Sequence, residues 1–350
     1  MKYSKVYISS IEYELAPNII TSIDIEEQLK PFYDAMGFNV GQLEALTGIK
    51  ERRLWDKEQT LAQASSKAGQ KTIDESGISP EDIEALVFCG VCKDGFEPAT
   101  SCAIADKLKI SKNAQIYDVS NACLGVITGI VQVANQIELG QIKAGLIVSA
   151  ETSRQIIEST IKEINKKKDL QFYKETVATM TGGSGAVAVL LTDGSFDNAG
   201  LRQHAIKGGI VKNAIEHHNL CYWGFSQKDM PTDAKIIMRT IGDAVLDHGL
   251  KLAVETFKAF NDKLKISPHD IDKVIGHQIT SYHHQAFYKA LNIDRTKDFA
   301  TYPYLGNIGT VSLPITAAIA DERGFLKEGD FVAFIGIGSG INCFILGVEW

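Results

Sequence analysis

Cys123 is the residue of this chain whose type and position point most directly to covalent chemistry. It follows Ser120-Asn121-Ala122 and begins an apolar run that predicts a helix from Cys123 to Leu139. A thiol at the N-terminus of a helix lies at the positive end of the helix dipole, which favours the thiolate and lowers the thiol pKa. We therefore expect a nucleophile on an elbow between a strand and a helix. A small buried core residue is the alternative for a cysteine taken alone.

His277 and Asn307 are two further side chains placed for chemistry. His277 directly follows the apolar run 273–276, which predicts a buried strand, and ligand sites in α/β sheets lie at the carboxyl ends of strands. Asn307 lies in a Gly-Asn-x-Gly turn, residues 306–309, ahead of an apolar helix. The alternatives are a structural histidine with satisfied hydrogen bonds, and a turn that caps the helix.

A glycine-rich loop, Gly338-Ser339-Gly340, follows the predicted buried strand 331–336. It resembles a phosphate-binding loop, but it lacks the Lys-Ser/Thr pair of such loops and a complete dinucleotide fingerprint. The sequence therefore gives little support for nucleotide binding. It also argues against an NAD-dependent dehydrogenase, because the first strand-turn-helix carries no glycine fingerprint.

Strand-like and helix-like segments alternate along the 350 residues, which predicts an α/β architecture. Continuous apolar runs predict strands buried on both faces, at residues 85–89, 144–148, 185–191, 273–276 and 331–336. Amphipathic helices are predicted at residues 58–76, 123–139 and 241–260. These elements would hold the candidate side chains at strand ends and helix starts.

The chain also contains a sign of internal duplication. The motif Ile-Ser-Pro-x-Asp-Ile occurs at residues 78–83 and again at residues 266–271, each time shortly before a buried strand. We infer two related α/β halves, residues 1–195 and 196–350. Coincidence is the alternative, because Ser-Pro-x-Asp is also a common start of a helix.

The composition excludes several classes of function. Lys and Arg number 36 against 43 Asp and Glu, a net charge of −7, which argues against a nucleic-acid binder. No stretch approaches the roughly 20 apolar residues of a membrane span. The six cysteines are scattered, which predicts reduced thiols and a cytoplasmic location. No metal site is expected, since the Cys89-x-x-Cys92 pair has no second pair.

Taken together and in this order, the cysteine, the histidine, the Gly-Asn-x-Gly turn and the glycine-rich loop resemble the thiolase superfamily. Within it they are most similar to the branch of 3-oxoacyl-ACP synthase III, as is the segment Thr47-Gly48-Ile49-Lys50-Glu51-Arg52. The resemblance implies a homodimer and a thiolase-like fold, two duplicated βαβαβ halves in a five-layered α-β-α-β-α arrangement. It implies CoA thioesters as substrates and no bound cofactor.

The resemblance also implies a role for each candidate residue. Cys123 would take the acyl group, while His277 and Asn307 would donate hydrogen bonds to the enolate-like oxygen of a second substrate. Backbone N–H groups of Cys123 and of the loop Gly338-Ser339-Gly340 would hold the oxyanion of the tetrahedral intermediate.

Glu97 marks a departure from that branch. It stands between Phe96 and Pro98, where synthase III enzymes usually have Phe directly before Pro. This resembles the OleA-type enzymes of bacterial olefin biosynthesis, which condense two acyl-CoAs head to head. In them the equivalent glutamate enters the active site from the other subunit as a base, and Phe96 would belong to the same dimer loop. A solvated loop carboxylate is the alternative for Glu97.

The leading hypothesis is a non-decarboxylative Claisen condensation of two fatty acyl-CoAs through an acyl-Cys123 intermediate, which gives a 2-alkyl-3-ketoacyl product. Removal of a Cα proton requires a base, and this requirement gives the extra carboxylate a purpose. The alternative is a decarboxylative 3-oxoacyl-ACP synthase III that joins acyl-CoA to malonyl-ACP and needs no base. A non-condensing acyl-binding scaffold is a third possibility. Acyl carrier protein is the alternative to CoA as the carrier of the acyl group.

Overall fold

A mixed nine-stranded sheet forms the centre of the molecule, and two short two-stranded sheets lie outside it. The computed structural model describes residues 1–197, 200–225 and 236–350. The strands are β1 (Tyr7–Leu15), β2 (Asn18–Thr21), β3 (Glu51–Leu54), β4 (Ala85–Cys89), β5 (Gln115–Val119), β6 (Ala144–Glu151), β7 (Gly185–Thr192), β8 (His204–Asn213), β9 (Cys221–Phe225), β10 (Ile236–Thr240), β11 (Lys273–Gly276), β12 (Phe331–Gly338) and β13 (Asn342–Glu349).

Helices cover both faces of this sheet. They are α1 (Ser22–Gln28), α2 (Lys30–Met36), α3 (Gln42–Thr47), α4 (Leu61–Ser76), α5 (Thr100–Leu108), α6 (Gly125–Glu138), α7 (Arg154–Lys167), α8 (Leu170–Thr176), α9 (Gly242–Leu264), α10 (Ser281–Leu291), α11 (Tyr302–Leu305) and α12 (Ser312–Glu322). The predicted strands and helices are all present, with boundaries shifted by a few residues.

The strand order has two matching parts. From one edge of the sheet to the other, the first part is β5-β4-β6-β7-β1 and the second part is β8-β13-β12-β11. The outer strands are therefore β5 and β11, and β1 and β8 meet in the middle. The parts meet where β1 pairs with β8 at two positions, Tyr7 with Ala205 and Ile8 with His204. Each part combines parallel strands at its outer side with antiparallel strands at the junction. The α/β class is confirmed, while a boundary at residues 195 and 196 stays a prediction.

Five layers follow from the way side chains alternate along buried strands. In β4, Val87 and Cys89 pack with α6 and α12 in one core cluster, whereas Leu86 and Phe88 pack with α4 and α5 in another. In β12, alternate residues pack with α6 and α12 or with α9 and α10. Helices α6 and α12 therefore form a central layer between the two parts of the sheet.

Candidate active site

Cys123 lies in a tight turn between β5 and α6. The predicted helix begins at Gly125 rather than at Cys123, and Ala122 just before the cysteine has a positive φ of 46°. No side chain of this turn caps α6; instead Thr310, from the other half of the chain, accepts the N–H of Val126 through its Oγ1 at 2.7 Å. The elbow predicted from the sequence is present. Thr310, which follows the Asn307 turn, caps the start of the helix that leaves this elbow.

The electrostatic prediction for Cys123 is wrong. Burial raises the pKa of this thiol to about 12, and the Glu151 carboxylate and the Cys221 thiol add to the increase. Burial removes the water that would solvate a thiolate, and a carboxylate nearby repels a second negative charge. The thiol is therefore protonated near pH 7 in the resting site.

The glycine-rich loop lies beside the cysteine. A Cβ added at Gly338 would lie 3.0 Å from the Cγ atom of Leu124 and 3.6 Å from the backbone nitrogen of Cys123, so the loop packs directly against the Cys123 turn. The Asn342 amide donates to the Asn121 side-chain oxygen at 3.2 Å and lies 3.4 Å from the Ser339 carbonyl oxygen. The predicted oxyanion loop and the Cys123 turn are thus held together.

Asn307 is held by its backbone on both sides. Its N–H donates to the Thr181 carbonyl at 2.8 Å, and its carbonyl accepts the N–H of Gly183 at 2.9 Å. The side-chain oxygen of Asn307 accepts the N–H of Gly309 at 3.1 Å. This contact orients the amide, and its NH₂ makes no hydrogen bond within the described part of the chain, so that group is the donor available to a substrate.

His277 continues the register of β11 and β12, since its N–H donates to the Ile335 carbonyl at 2.9 Å. Both ring nitrogens are buried and have no hydrogen-bond partner among the described residues. Burial, with a smaller contribution from His283, lowers the pKa of His277 to about 4. The imidazole is therefore neutral near pH 7, with one N–H to donate and one nitrogen to accept.

A pocket opens beside His277. His283 and apolar side chains of α9 and α10 line it, including Leu246, Leu250 and Phe287. The walls are suited to an apolar chain rather than to a charged group.

Phe96 and Glu97 do not join this cluster within the chain. Phe96 is 90% exposed and lies against the ring of Phe225, with the ring centroids 5.7 Å apart. Glu97 is exposed, and within the described residues its carboxylate has no hydrogen-bond or ion-pair partner. The loop instead extends outward from the molecule.

Glu151 is a site residue that the sequence reasoning missed. It ends β6, is 3% exposed, and accepts the N–H groups of Val91 at 2.9 Å and of Cys92 at 3.2 Å. Burial raises its pKa to about 6, opposed by these hydrogen bonds, by one from the Cys92 side chain and by one from the Thr310 backbone. A carboxylate that ends a continuous apolar strand was the signal in the sequence.

Two further features of the described ranges bear on function. No group of three or more His, Cys, Asp or Glu side chains there is arranged to hold a metal ion. No helix within these ranges is long and apolar enough to cross a membrane. The cysteines in these ranges are free thiols, namely Cys89, Cys92, Cys102, Cys123, Cys221 and Cys343.

Comparisons with known proteins agree with this geometry. The family description 3-oxoacyl-[acyl-carrier-protein] synthase III matches residues 117–207, and its C-terminal counterpart matches residues 262–350. An acyl-CoA:acyl-CoA alkyltransferase of Shewanella oneidensis is 47% identical over 350 residues, covering 100% of both chains. The chain belongs to the acyl-CoA:acyl-CoA alkyltransferase family. The match spans the full length of both proteins, and the predicted resemblance is confirmed.

Solved structures and more distant relatives place this family in the thiolase superfamily. OleA of Xanthomonas campestris, in a variant with one cysteine replaced by serine and with bound lauric acid and lauroyl-CoA, is 32% identical with a TM-score of 0.91 over 99% of this chain and 100% of that one. Other structures of that protein carry substitutions of one glutamate or one histidine. A β-ketoacyl-ACP synthase III of Clostridioides difficile is 27% identical over 308 residues, covering 87% of this chain and 88% of that protein. The thiolase-like fold class is confirmed.

Proposed function

We propose that this protein condenses two fatty acyl-CoA thioesters head to head by a non-decarboxylative Claisen reaction. The observation that carries the proposal is the 47% identity, over the whole chain, with an acyl-CoA:acyl-CoA alkyltransferase. The synthase III alternative has support only from more distant relatives, such as the one at 27% identity. The site geometry supplies residues for both halves of the condensation.

The first half is acylation of Cys123. The thiol sulfur forms a bond to the acyl carbonyl carbon, the bond from that carbon to the CoA sulfur breaks, and the thiol proton ends on the departing CoA. The backbone N–H of Cys123 and the adjoining loop at Gly338 are close enough to serve the tetrahedral oxyanion together. The product of this half is an acyl-enzyme.

The second half makes the carbon–carbon bond. Glu97 removes a Cα proton from a second acyl-CoA, and the resulting enolate oxygen accepts hydrogen bonds from neutral His277 and the Asn307 amide. The Cα carbon attacks the acyl carbonyl on Cys123, whose sulfur leaves as thiolate. The released compound is a 2-alkyl-3-ketoacyl-CoA, and the proton taken by Glu97 returns to the cysteine.

Glu97 reaches the site from a second copy of the chain. In the Xanthomonas campestris structures the substituted glutamate precedes the substituted cysteine by 26 residues, and Glu97 precedes Cys123 by the same 26. Within one chain Phe96 and Glu97 point outward, and β5 lies at the open edge of the sheet. A homodimer in which the two loops cross accounts for both features.

Subunit complementation tests this arrangement. Cys123→Ala and Glu97→Gln are each inactive, but mixed dimers contain one site with both native residues if Glu97 acts across the interface. Recovery of activity after co-refolding or co-expression is expected. No recovery, with mixed dimers verified by differently tagged subunits, would place Glu97 in its own subunit's site.

Lauroyl-CoA as the sole substrate tests the function itself. We expect free CoA and a condensed product carrying two lauroyl-derived chains, identified by mass spectrometry. A parallel reaction that also contains malonyl-ACP tests the synthase III alternative. A reaction with lauroyl-ACP in place of lauroyl-CoA tests which of the two carriers the enzyme uses. Product that forms only when malonyl-ACP is present would replace the proposal with that alternative. A cytoplasmic location stays a prediction from the sequence.

A further inference from the structure

Glu151 is a buried carboxylate held mainly by backbone N–H groups, with the Cys92 thiol as a side-chain contact. Its two oxygens accept consecutive N–H groups, from Val91 and Cys92, and the Thr310 backbone N–H also donates to it. Within the described ranges it has no cationic partner. Burying a carboxylate without a counter-ion is costly, so the hydrogen bonds that it gains must offset a substantial desolvation penalty.

The backbone donors belong to two segments that carry candidate catalytic side chains. Val91 and Cys92 begin the loop that leads to Glu97. Thr310 follows Gly309, whose N–H donates to the side-chain oxygen of Asn307. Glu151 is therefore hydrogen-bonded both to the start of the Glu97 loop and to the end of the Asn307 turn.

The contacts around Glu151 are also tight. A Cβ added at Gly309 would lie 3.2 Å from the Glu151 Cγ, so the turn packs directly on the side chain. Thr310 in turn accepts the N–H of Val126 at the start of α6, two residues beyond the Cys123 turn. One carboxylate thus connects the segments of Cys123, Asn307 and Glu97.

We infer that Glu151 is a positioning residue for the condensation step, which holds the Glu97 loop and the Asn307 turn in register with Cys123. This inference rests on the proposed function. Glu151 touches neither substrate nor reacting atoms in it and acts through the backbone of its neighbours. Misplacing reacting groups by about 1 Å can cost a hundredfold in rate.

The charge of Glu151 gives a second, independent readout. The groups that raise the pKa of Cys123 beyond the effect of burial are Glu151 and Cys221. Removing the carboxylate charge should lower that pKa, and a nearby charge typically shifts a pKa by about one unit or more. A residue with a purely structural role would leave the reactivity of the thiol unchanged or reduce it.

Two variants separate position from charge. Glu151→Gln removes the charge and turns an acceptor into a donor that faces backbone N–H groups. Glu151→Asp keeps the charge but withdraws the carboxylate from part of its contacts. We expect both variants to lose about a hundredfold in condensation of lauroyl-CoA, with acylation of Cys123 still detectable by intact mass.

Iodoacetamide alkylation of Cys123, followed by peptide mass spectrometry at several pH values, measures the charge effect. At pH 8 we expect about tenfold faster alkylation in Glu151→Gln than in the wild type, and the wild-type rate in Glu151→Asp. Exposed Cys102 provides an internal reference whose rate should not change.

Glu26 provides a matched control for lost stability. It is fully buried and likewise accepts two backbone N–H groups, from Gly41 at 2.7 Å and Leu43 at 2.8 Å. Glu26→Gln should lower the melting temperature comparably while the pH profile of Cys123 alkylation stays as in the wild type. A shifted profile in this control would attribute the effect to general loosening and overturn the inference.

Several outcomes would overturn it directly. One is condensation of lauroyl-CoA at the wild-type rate in either Glu151 variant. Another is a pH profile of Cys123 alkylation in Glu151→Gln that matches the wild type. If Glu151→Gln fails to fold, Glu151→Asp decides, because its condensation must fall while its alkylation does not change. Failure of the wild type to condense lauroyl-CoA defeats the proposed function instead, and the alkylation comparison needs no acyl-CoA.

Discussion

Replacing Glu97 with glutamine should stop the reaction between its two halves. The carboxylate is exposed and unpartnered within the described residues, so Glu97→Gln should change the free energy of unfolding by no more than about 0.5 kcal/mol. Loss of a positioned general base costs about 10²- to 10⁴-fold in the step that it serves, or about 3–5 kcal/mol of barrier. The substitution therefore affects chemistry without a matching cost in stability.

The assay follows CoA release from lauroyl-CoA by a thiol reagent in a stopped-flow instrument. The variant should release about one CoA per active site in a burst and then stall, because Cys123 is acylated but no carbanion forms. Intact-protein mass spectrometry should show the lauroyl adduct persisting. Product analysis should show the condensed compound reduced by the same factor as the steady rate.

Glu81→Gln is the control for this experiment. Glu81 is also an exposed carboxylate, near the start of β4, at the end opposite the Glu97 loop. That variant should turn over at the wild-type rate. Steady turnover of Glu97→Gln at the wild-type rate, with the same product, would refute the assignment and leave Glu97 as a loop carboxylate. Absence of the burst would mean that acylation itself needs Glu97.

Three further predictions follow from the site. Cys123→Ala should abolish the lauroyl adduct in intact-mass spectra while the other five cysteines are intact; an undiminished adduct would refute the nucleophile assignment. The pKa of His277 is lowered to about 4, from about 6.5 in the unfolded chain. As the pH drops, the unfolded state therefore binds a proton at this histidine before the folded state does. The free energy of unfolding should fall between about pH 6.5 and pH 4. Urea titrations at pH 7 and pH 5 should show a smaller fall in His277→Asn than in the wild type, and equal falls would contradict the shift. Gly183→Ala should reduce condensation about a hundredfold, because its Cβ would clash with the Leu305 carbonyl oxygen and displace the segment that hydrogen-bonds Asn307. A wild-type kcat would show that this register is not needed.

The direction of the Cys123 pKa shows where reasoning along the chain reaches its limit. A cysteine before an apolar helix predicts a stabilised thiolate, and the helix is present two residues later than expected. Burial reverses the shift, and two groups add to it: Glu151, at the end of β6, and Cys221, in the other half. Neither is near Cys123 in sequence, so their effect could not be read from the local motif.

The sequence by itself determined the alternation of strands and helices, the buried strands and the order of the cysteine, histidine and asparagine. Those features depend on local periodicity and on residue types that each chemistry requires. Only the tertiary structure decided that Glu151 bonds to Val91, 60 residues away, and to the segment of Asn307, and that Glu97 points outward. Burial and charge–charge interactions depend on distance in space, and the chain brings these groups together only when its two halves pack around α6 and α12.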